Sequence, residues 1–340
     1  MTRSPLRHFP PALFAPAMAT GIVSVAAQLT GRPAVARALL AVNVPLFIAL
    51  WLAALARVAL HRDLVLADLR DQTRAAGVFS AAAATAVLGA QCLVVGASPG
   101  VATVLWGAAL ALWAGLTYGV FTALIVAPEK PPPGEGLHGA WLLAVVAAQS
   151  VASLGAQVAP GLAAHRVEAL LVSFALWSSG SVLYLWIAGA LLHRLLFLRV
   201  SAAQLTPPYW ICMGAAAVST LAGASLSAAA PAAPFLASML PFVRGLTALW
   251  WATATWWVPL LLALGAWRHL GKRHPLRYDA QAWGAVFPLG MYAACTARLA
   301  HLLDVPSLDA VARAASLVAL GAWAATSLGA LASVRAPASE

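Results

Sequence analysis

The chain has 340 residues, of which 62% are hydrophobic and only 9% charged, against a charged share of about 25% in ordinary soluble domains. That composition excludes the two soluble domains the length would otherwise suggest, and predicts an all-α polytopic membrane protein. The formal net charge of +10 does not argue for a nucleic-acid partner, because the cations sit at the ends of apolar stretches rather than in one patch.

Ten apolar spans follow in chain order, at about 12–29, 38–60, 77–96, 101–127, 139–158, 167–192, 209–229, 243–266, 282–303 and 311–333. Each is long enough to cross a bilayer, for which about 20 residues suffice. Between spans two and three lies HRDLVLADLRDQTRAAG, and PEKPPPGEG at 128–136 is a short, stiff proline loop that does not divide domains. HRLLFLRVSAAQLTPP follows span six and WRHLGKRHPLRYDAQ follows span eight. The chain is therefore expected to form one transmembrane domain over 1–340. With ten spans, all four of these loops fall on the same side as both termini.

The cations agree with that count. Of the twenty Lys and Arg residues, fourteen lie on that side. They are Arg3, Arg7, Arg57, Arg62, Arg70, Arg74, Lys130, Arg194, Arg199, Arg268, Lys272, Arg273, Arg277 and Arg335. The other six are Arg32, Arg37, Arg166, Arg244, Arg298 and Arg313. By the positive-inside rule the richer side, with both termini, is cytoplasmic, in a cell or inner membrane.

The spans sort into two kinds. Spans two, four, six and eight carry leucine and tryptophan, among them Trp51, Trp113, Trp186 and Trp256. Spans three, five and seven are built from small and weakly polar residues, as in SAAAATAVLGAQ at 80–91 and GAAAVSTLAGASLSAAA at 214–230. Small residues allow close backbone approach, while bulky apolar ones suit lipid. The odd spans are expected inside and the even ones outside.

Span nine, AWGAVFPLGMYAACTARLAHLL, holds more than a lipid anchor needs. Pro288 removes a backbone donor and is expected to bend the helix. Arg298 lies eleven residues after Phe287, only about 20° away around an ideal helix. Phe287, Met291, Ala294, Arg298 and His301 thus form one stripe, from a bulky aromatic to an intramembrane cation. Gly284 and Gly290 are expected to leave the Phe287 ring room to change rotamer. Two readings of Arg298 stand side by side: a pore cation, or a snorkelling anchor paired with Asp304 or Asp309.

WGAVFPLGMY at 283–292, PPYWICMGAAAVSTLAG at 207–223 and TWWVPLLLALGAWRH at 255–269 resemble one family. It is that of the tellurite-resistance and dicarboxylate transporters, with the plant slow anion channels, in the voltage-dependent anion channel superfamily. The resemblance implies ten transmembrane helices as five helical hairpins around a central pore, usually in a homotrimer with one pore per subunit. It implies that a phenylalanine of the ninth helix plugs the pore, which by motif is Phe287. It also implies that the first span is kept, although Arg3 and Arg7 ahead of it imitate a signal peptide.

Catalytic motifs are absent, and no enzymatic activity, cofactor or metal is expected. Cys92, Cys212 and Cys295 are isolated in apolar spans and read as packing thiols, and the eight histidines read as interfacial hydrogen-bonders. All ten acidic residues lie in loops or at span ends, whereas proton-coupled carriers usually hold a carboxylate in the membrane. The candidate pore-lining residues are Gly21, Gln91, Gln149, Ser150, Ser153, Ser219, Thr220, Met291 and Arg298, with Gln157 and Thr296 as further donors. Such donors replace part of an ion's hydration shell, or else merely bond neighbouring helices. The leading expectation is an anion channel or facilitated transporter gated at Phe287. The alternative is a proton- or ion-coupled transporter of C4-dicarboxylates, sulfite or tellurite-type oxyanions. An intramembrane enzyme or receptor would need a reactive constellation or a sizeable extramembrane module, and neither is visible.

Overall fold

The computed structural model describes residues 9, 10, 12–276 and 278–335, so the topology cations Arg3, Arg7 and Arg277, like His8, lie outside the described residues. No strand occurs among the described residues. Ten helices cross the fold: α1 Ala15–Leu29, α2 Pro33–Leu60, α3 Ser80–Val94, α4 Pro99–Ile125, α5 Leu143–Val158, α6 Arg166–Phe197, α7 Ile211–Ala229, α8 Leu240–Ala266, α9 Trp283–Leu303 and α10 Ser307–Arg335. Among the described residues, and counting the 3₁₀ and π turns that continue them, nine are long and apolar enough to span a bilayer, and α1, at 15 residues, is the shorter tenth. The expected all-α polytopic architecture is what forms.

Connections within a pair are short and often turn on a left-handed residue: Gly31 between α1 and α2, Ala97 between α3 and α4, Asp304 between α9 and α10. Connections between pairs are longer and carry nearly all the cations that lie between helices. Four of them deliver the chain through a 3₁₀ turn into the next odd helix, at Ala75–Phe79, Gly139–Leu142, Pro207–Trp210 and Ala280–Ala282. The two ends of the fold are therefore distinct, a basic end with the long loops and an end with the tight turns.

Packing closes the pairs into five hairpins. α1, α3, α5, α7 and α9 touch in that order, and α9 returns to α1, forming an inner ring. Each even helix packs on its hairpin partner and on the next inner helix round, α10 closing onto α1. Of the hydrophobic stretches, those of the third, fifth, seventh and ninth spans are 72%, 94%, 89% and 67% buried, against 11–39% for the even spans. Twelve of the fifteen residues of α1 are buried. The alternation of small-residue and Leu/Trp-rich spans thus separates inside from outside.

Close approach explains the small residues. A Cβ on Gly214 would meet Pro288 Cγ at 2.8 Å, so α7 and α9 cross with no side chain between them. The tryptophans of the outer helices are of two kinds. Trp186 and Trp256 face outward, while Trp177, Trp250 and Trp257 are buried against the ring. Trp177 Nε1 donates to Ser219 O at 2.9 Å. Trp257 Nε1 donates to the Tyr184 hydroxyl at 2.8 Å, which donates to Cys212 O at 3.0 Å. That relay bolts α8 and α6 to α7, and each bond is stronger for having no water to compete with it. All three cysteines are free.

Candidate functional site

The axis of the inner ring is hollow at both ends and closed between them. At the basic end the five approaches to the inner helices surround a cavity of about 810 Å³. Pro10, Thr73, His138, Thr206 and Trp283 each face it from a different approach. Its charged lining is mixed, with Arg74, Arg194 and His138 against Glu135 and Asp279. Further along the axis all five inner helices line a narrow cavity, through residues such as Ile22, Val87, Ser150, Val218 and Met291. It encloses about 20 Å³, room for about one water molecule. Towards the tight-turn end, Gln157, Pro160, Ser225 and Arg298 border a third cavity of about 170 Å³.

Phe287 borders none of these cavities. Its ring is 0% exposed. It stands one turn after Trp283, which faces the basic-end cavity, and one turn before Met291, which faces the narrow one. On the other helices, the residues one turn before Ile22, Ser150 and Val218 are Met18, Val146 and Gly214, all buried. Buried residues thus stand one turn towards the basic end from the residues that face the narrow cavity. α9 runs unbroken through Pro288, whose missing N–H leaves the Gly284 carbonyl without its usual helical donor.

The glycines beside the ring do not provide free space. A Cβ on Gly290 would meet Ile22 and Val23 side chains at 3.0 Å, and one on Gly284 would meet Pro208 at 3.3 Å. Gly290 is a helix-crossing contact with α1 and Gly284 a contact with the Pro207–Trp210 turn, which corrects the expectation that they leave room for a rotamer change.

The candidate lining residues divide. Ser150, Ser153, Met291 and Arg298 border the narrow cavity. The Ser150 hydroxyl is buried and has no hydrogen-bond partner, while Ser153 shares a 3.2 Å bond with Ser225 and accepts from Gln157. Gly21, Gln91, Gln149, Ser219 and Thr220 do not border the three cavities described above. Gly21 sits against Val87, Asn43 and Gln91. Gln91 accepts from Asn43 Nδ2 at 2.7 Å, joining α3 to α2. Gln149 donates to Trp177 O at 3.0 Å on α6. Ser219 and Thr220 return their hydroxyls to carbonyls of their own helix, and Thr296 does the same while accepting from Trp251 on α8. Ser225 was not singled out from the sequence.

Arg298 is exposed into the space it borders. Among the described residues the ion pairs all belong to Asp68, which holds Arg57 at 2.7 Å and Arg74 at 2.6 Å. The expected pairing of Arg298 with Asp304 or Asp309 does not form. Arg194 is more than a topology cation: it is buried, with Nε and Nη2 donating to Gly134 O at 3.1 and 2.8 Å and Nη1 to the Tyr209 hydroxyl. His138 donates through Nε2 to Thr73 O at 3.0 Å, and burial together with nearby Arg194 lowers its pKa, against the raising effect of that bond. No group of three His, Cys, Asp or Glu residues poised for a metal occurs among the described residues.

The family model described as voltage-dependent anion channel matches residues 8–331. The chain belongs to that family. Among curated relatives, an uncharacterized membrane protein of Mycobacterium tuberculosis is 38% identical over 144 residues, covering 42% of this chain and 73% of that one. An uncharacterized transporter of Methanocaldococcus jannaschii is 25% identical over 301 residues, or 85% and 83% of the two chains. One relative is thus named as a membrane protein and the other as a transporter. This anion-channel family member is a polytopic membrane protein, and its family implies anion substrates.

Proposed function

We propose that the protein conducts anions through the ring of α1, α3, α5, α7 and α9, and that Phe287 is the closed gate. The observation that carries the reading is the burial of Phe287 one turn from Trp283, which lines the basic-end cavity, and one turn from Met291, which lines the narrow one. Phenylalanine offers an ion no hydrogen bond and holds a dewetted constriction. Beyond the gate the ion would meet Ser150, Ser153 and then Arg298, which has no carboxylate within ion-pair distance among the described residues. At the other end the basic loops raise the local anion concentration.

A coupled carrier of dicarboxylates or of sulfite- or tellurite-type oxyanions is the second reading. Proton coupling is disfavoured by the buried acid inventory, since Asp68 is the buried carboxylate among the described residues and it lies on a loop helix. The basic end is taken as cytoplasmic, in the cell or inner membrane, residues 1–340 as one transmembrane domain, and the assembly as a homotrimer with one pore per subunit. Proteoliposome flux with chloride, nitrate, sulfite and malate tests the substrate and the mode together. Currents reversing at the anion equilibrium potential support a channel, whereas pH changes that accompany flux support coupling.

A further inference from the structure

We propose that the cleft where α8 leaves the membrane binds the phosphate of an anionic membrane phospholipid. The cleft encloses about 130 Å³ between the end of α8, the Pro207–Trp210 turn and the start of α9. Its lining is apolar at Leu261 and Leu264 and polar at Thr206, Arg268 and His269. An amphipathic slot of this kind suits a molecule with a charged head and a hydrocarbon body.

The polar lining has donors to spare. Arg268 Nη1 donates to the Leu205 carbonyl, which fixes the guanidinium across the cleft, while Nη2 is neither buried nor hydrogen-bonded and is the donor left for a ligand. His269 Nδ1 donates to His274 O at 2.9 Å, so Nε2 offers a phosphate a second donor in the imidazolium form, where both ring nitrogens carry protons. Neither Arg268 nor Lys272 has a carboxylate within ion-pair distance among the described residues. A planar guanidinium with an imidazole beside it matches two oxygens of a phosphate.

The backbone is rebuilt at this point. α8 continues into a π-helical turn at Trp267–Gly271, closed by Lys272 N donating to Trp267 O at 2.8 Å. Such turns are rare and re-aim side chains that an α-helix would send elsewhere. Arg273 follows in the left-handed region at φ 51°, and Lys272 Nζ stands 5.6 Å above the Trp267 ring. Leu270 and Leu276 are 79% and 87% exposed among these cations. Basic residues interleaved with exposed leucine and tryptophan at a span end belong among lipid headgroups. Orientation alone would need the cations but neither the cleft nor the π turn. Free phosphate would gain nothing from Leu261 and Leu264.

The test compares purified protein in nanodiscs of phosphatidylcholine alone and with phosphatidylglycerol, reading melting temperature and retained lipid by native mass spectrometry. Phosphatidylglycerol is expected to raise the melting temperature by at least about 3 °C and to remain bound. Arg268→Gln and His269→Gln are each expected to lose most of that increment, and Arg199→Gln, an exposed cation elsewhere, to keep it. Each variant is compared with its own phosphatidylcholine baseline, so a general loss of stability does not count. If Arg268→Gln does not fold, His269→Gln and Lys272→Gln carry the comparison. A full increment in the cleft variants, an equal loss in Arg199→Gln, or the same increment from inorganic phosphate would each overturn the proposal.

Discussion

Gly214 of α7 lies against Pro288 of α9 so closely that a Cβ would fall 2.8 Å from Pro288 Cγ and 3.1 Å from its Cα. The contact is one residue from Phe287 and fixes how far α9 stands from the axis. Gly214→Val is expected to overpack this crossing at a cost of about 1–3 kcal/mol. Thermal melting in detergent reads the loss. Melting unchanged from the parent would mean the two helices are not held by this contact.

The Asn43–Gln91 pair sits behind the pore wall, and Asn43 Oδ1 and Gln91 Nε2 already lack partners. Asn43→Leu or Gln91→Met alone strands the remaining amide, at about 1–3 kcal/mol. The double variant should recover most of that stability, because both polar groups leave together. Anion flux in the double variant should stay near the parent's. A large flux defect would return Gln91 to the path.

His138 faces the basic-end cavity with its pKa lowered by burial. Below about pH 6.5 the unfolded chain therefore binds more protons here than the folded one. This contribution to stability is present above that pH and lost as pH falls through the window. The melting temperature should drop between pH 7.5 and 5.5, with part of the drop removed in His138→Gln. An identical pH profile in that variant would assign the effect to other groups.

Both termini and the loop holding Gln72 are expected on the cytoplasmic side with the basic residues. A cysteine introduced at Gln72 should resist an impermeant thiol reagent in intact cells and react after permeabilisation. Labelling in intact cells would invert the topology.

The division into inner and outer helices was legible because it is written in side-chain size, a property each span shows along its whole length. Which way a polar residue points within an inner helix was not. Span 143–158 gathers Gln149, Ser150, Ser153 and Gln157 into one sector of the helix, but the sequence does not say where the cavity ends and the helix contact begins within that sector. Gln149 and Ser150 are neighbours about 100° apart on the helix, and one bonds α6 while the other faces the cavity. Arg194 was counted among loop cations because its partners, Gly134 and Tyr209, are 60 and 15 residues away. The stripe on α9 was readable because Phe287, Met291 and Arg298 differ sharply in chemistry from their surroundings. The roles of Gly284 and Gly290 were misread, since a glycine signals close approach without saying what fills the space.

The most direct test of the gate is anion flux through Phe287→Ala in proteoliposomes, with melting temperature measured on the same preparation. Removing the ring should join the narrow cavity to the basic-end cavity and let water follow the ion. Flux is expected to rise several-fold over the parent, with at most a modest loss in melting temperature. Phe287 acting only as a packing residue would instead destabilise by about 3–5 kcal/mol on truncation. Unchanged flux with a clearly lower melting temperature would contradict the gating account.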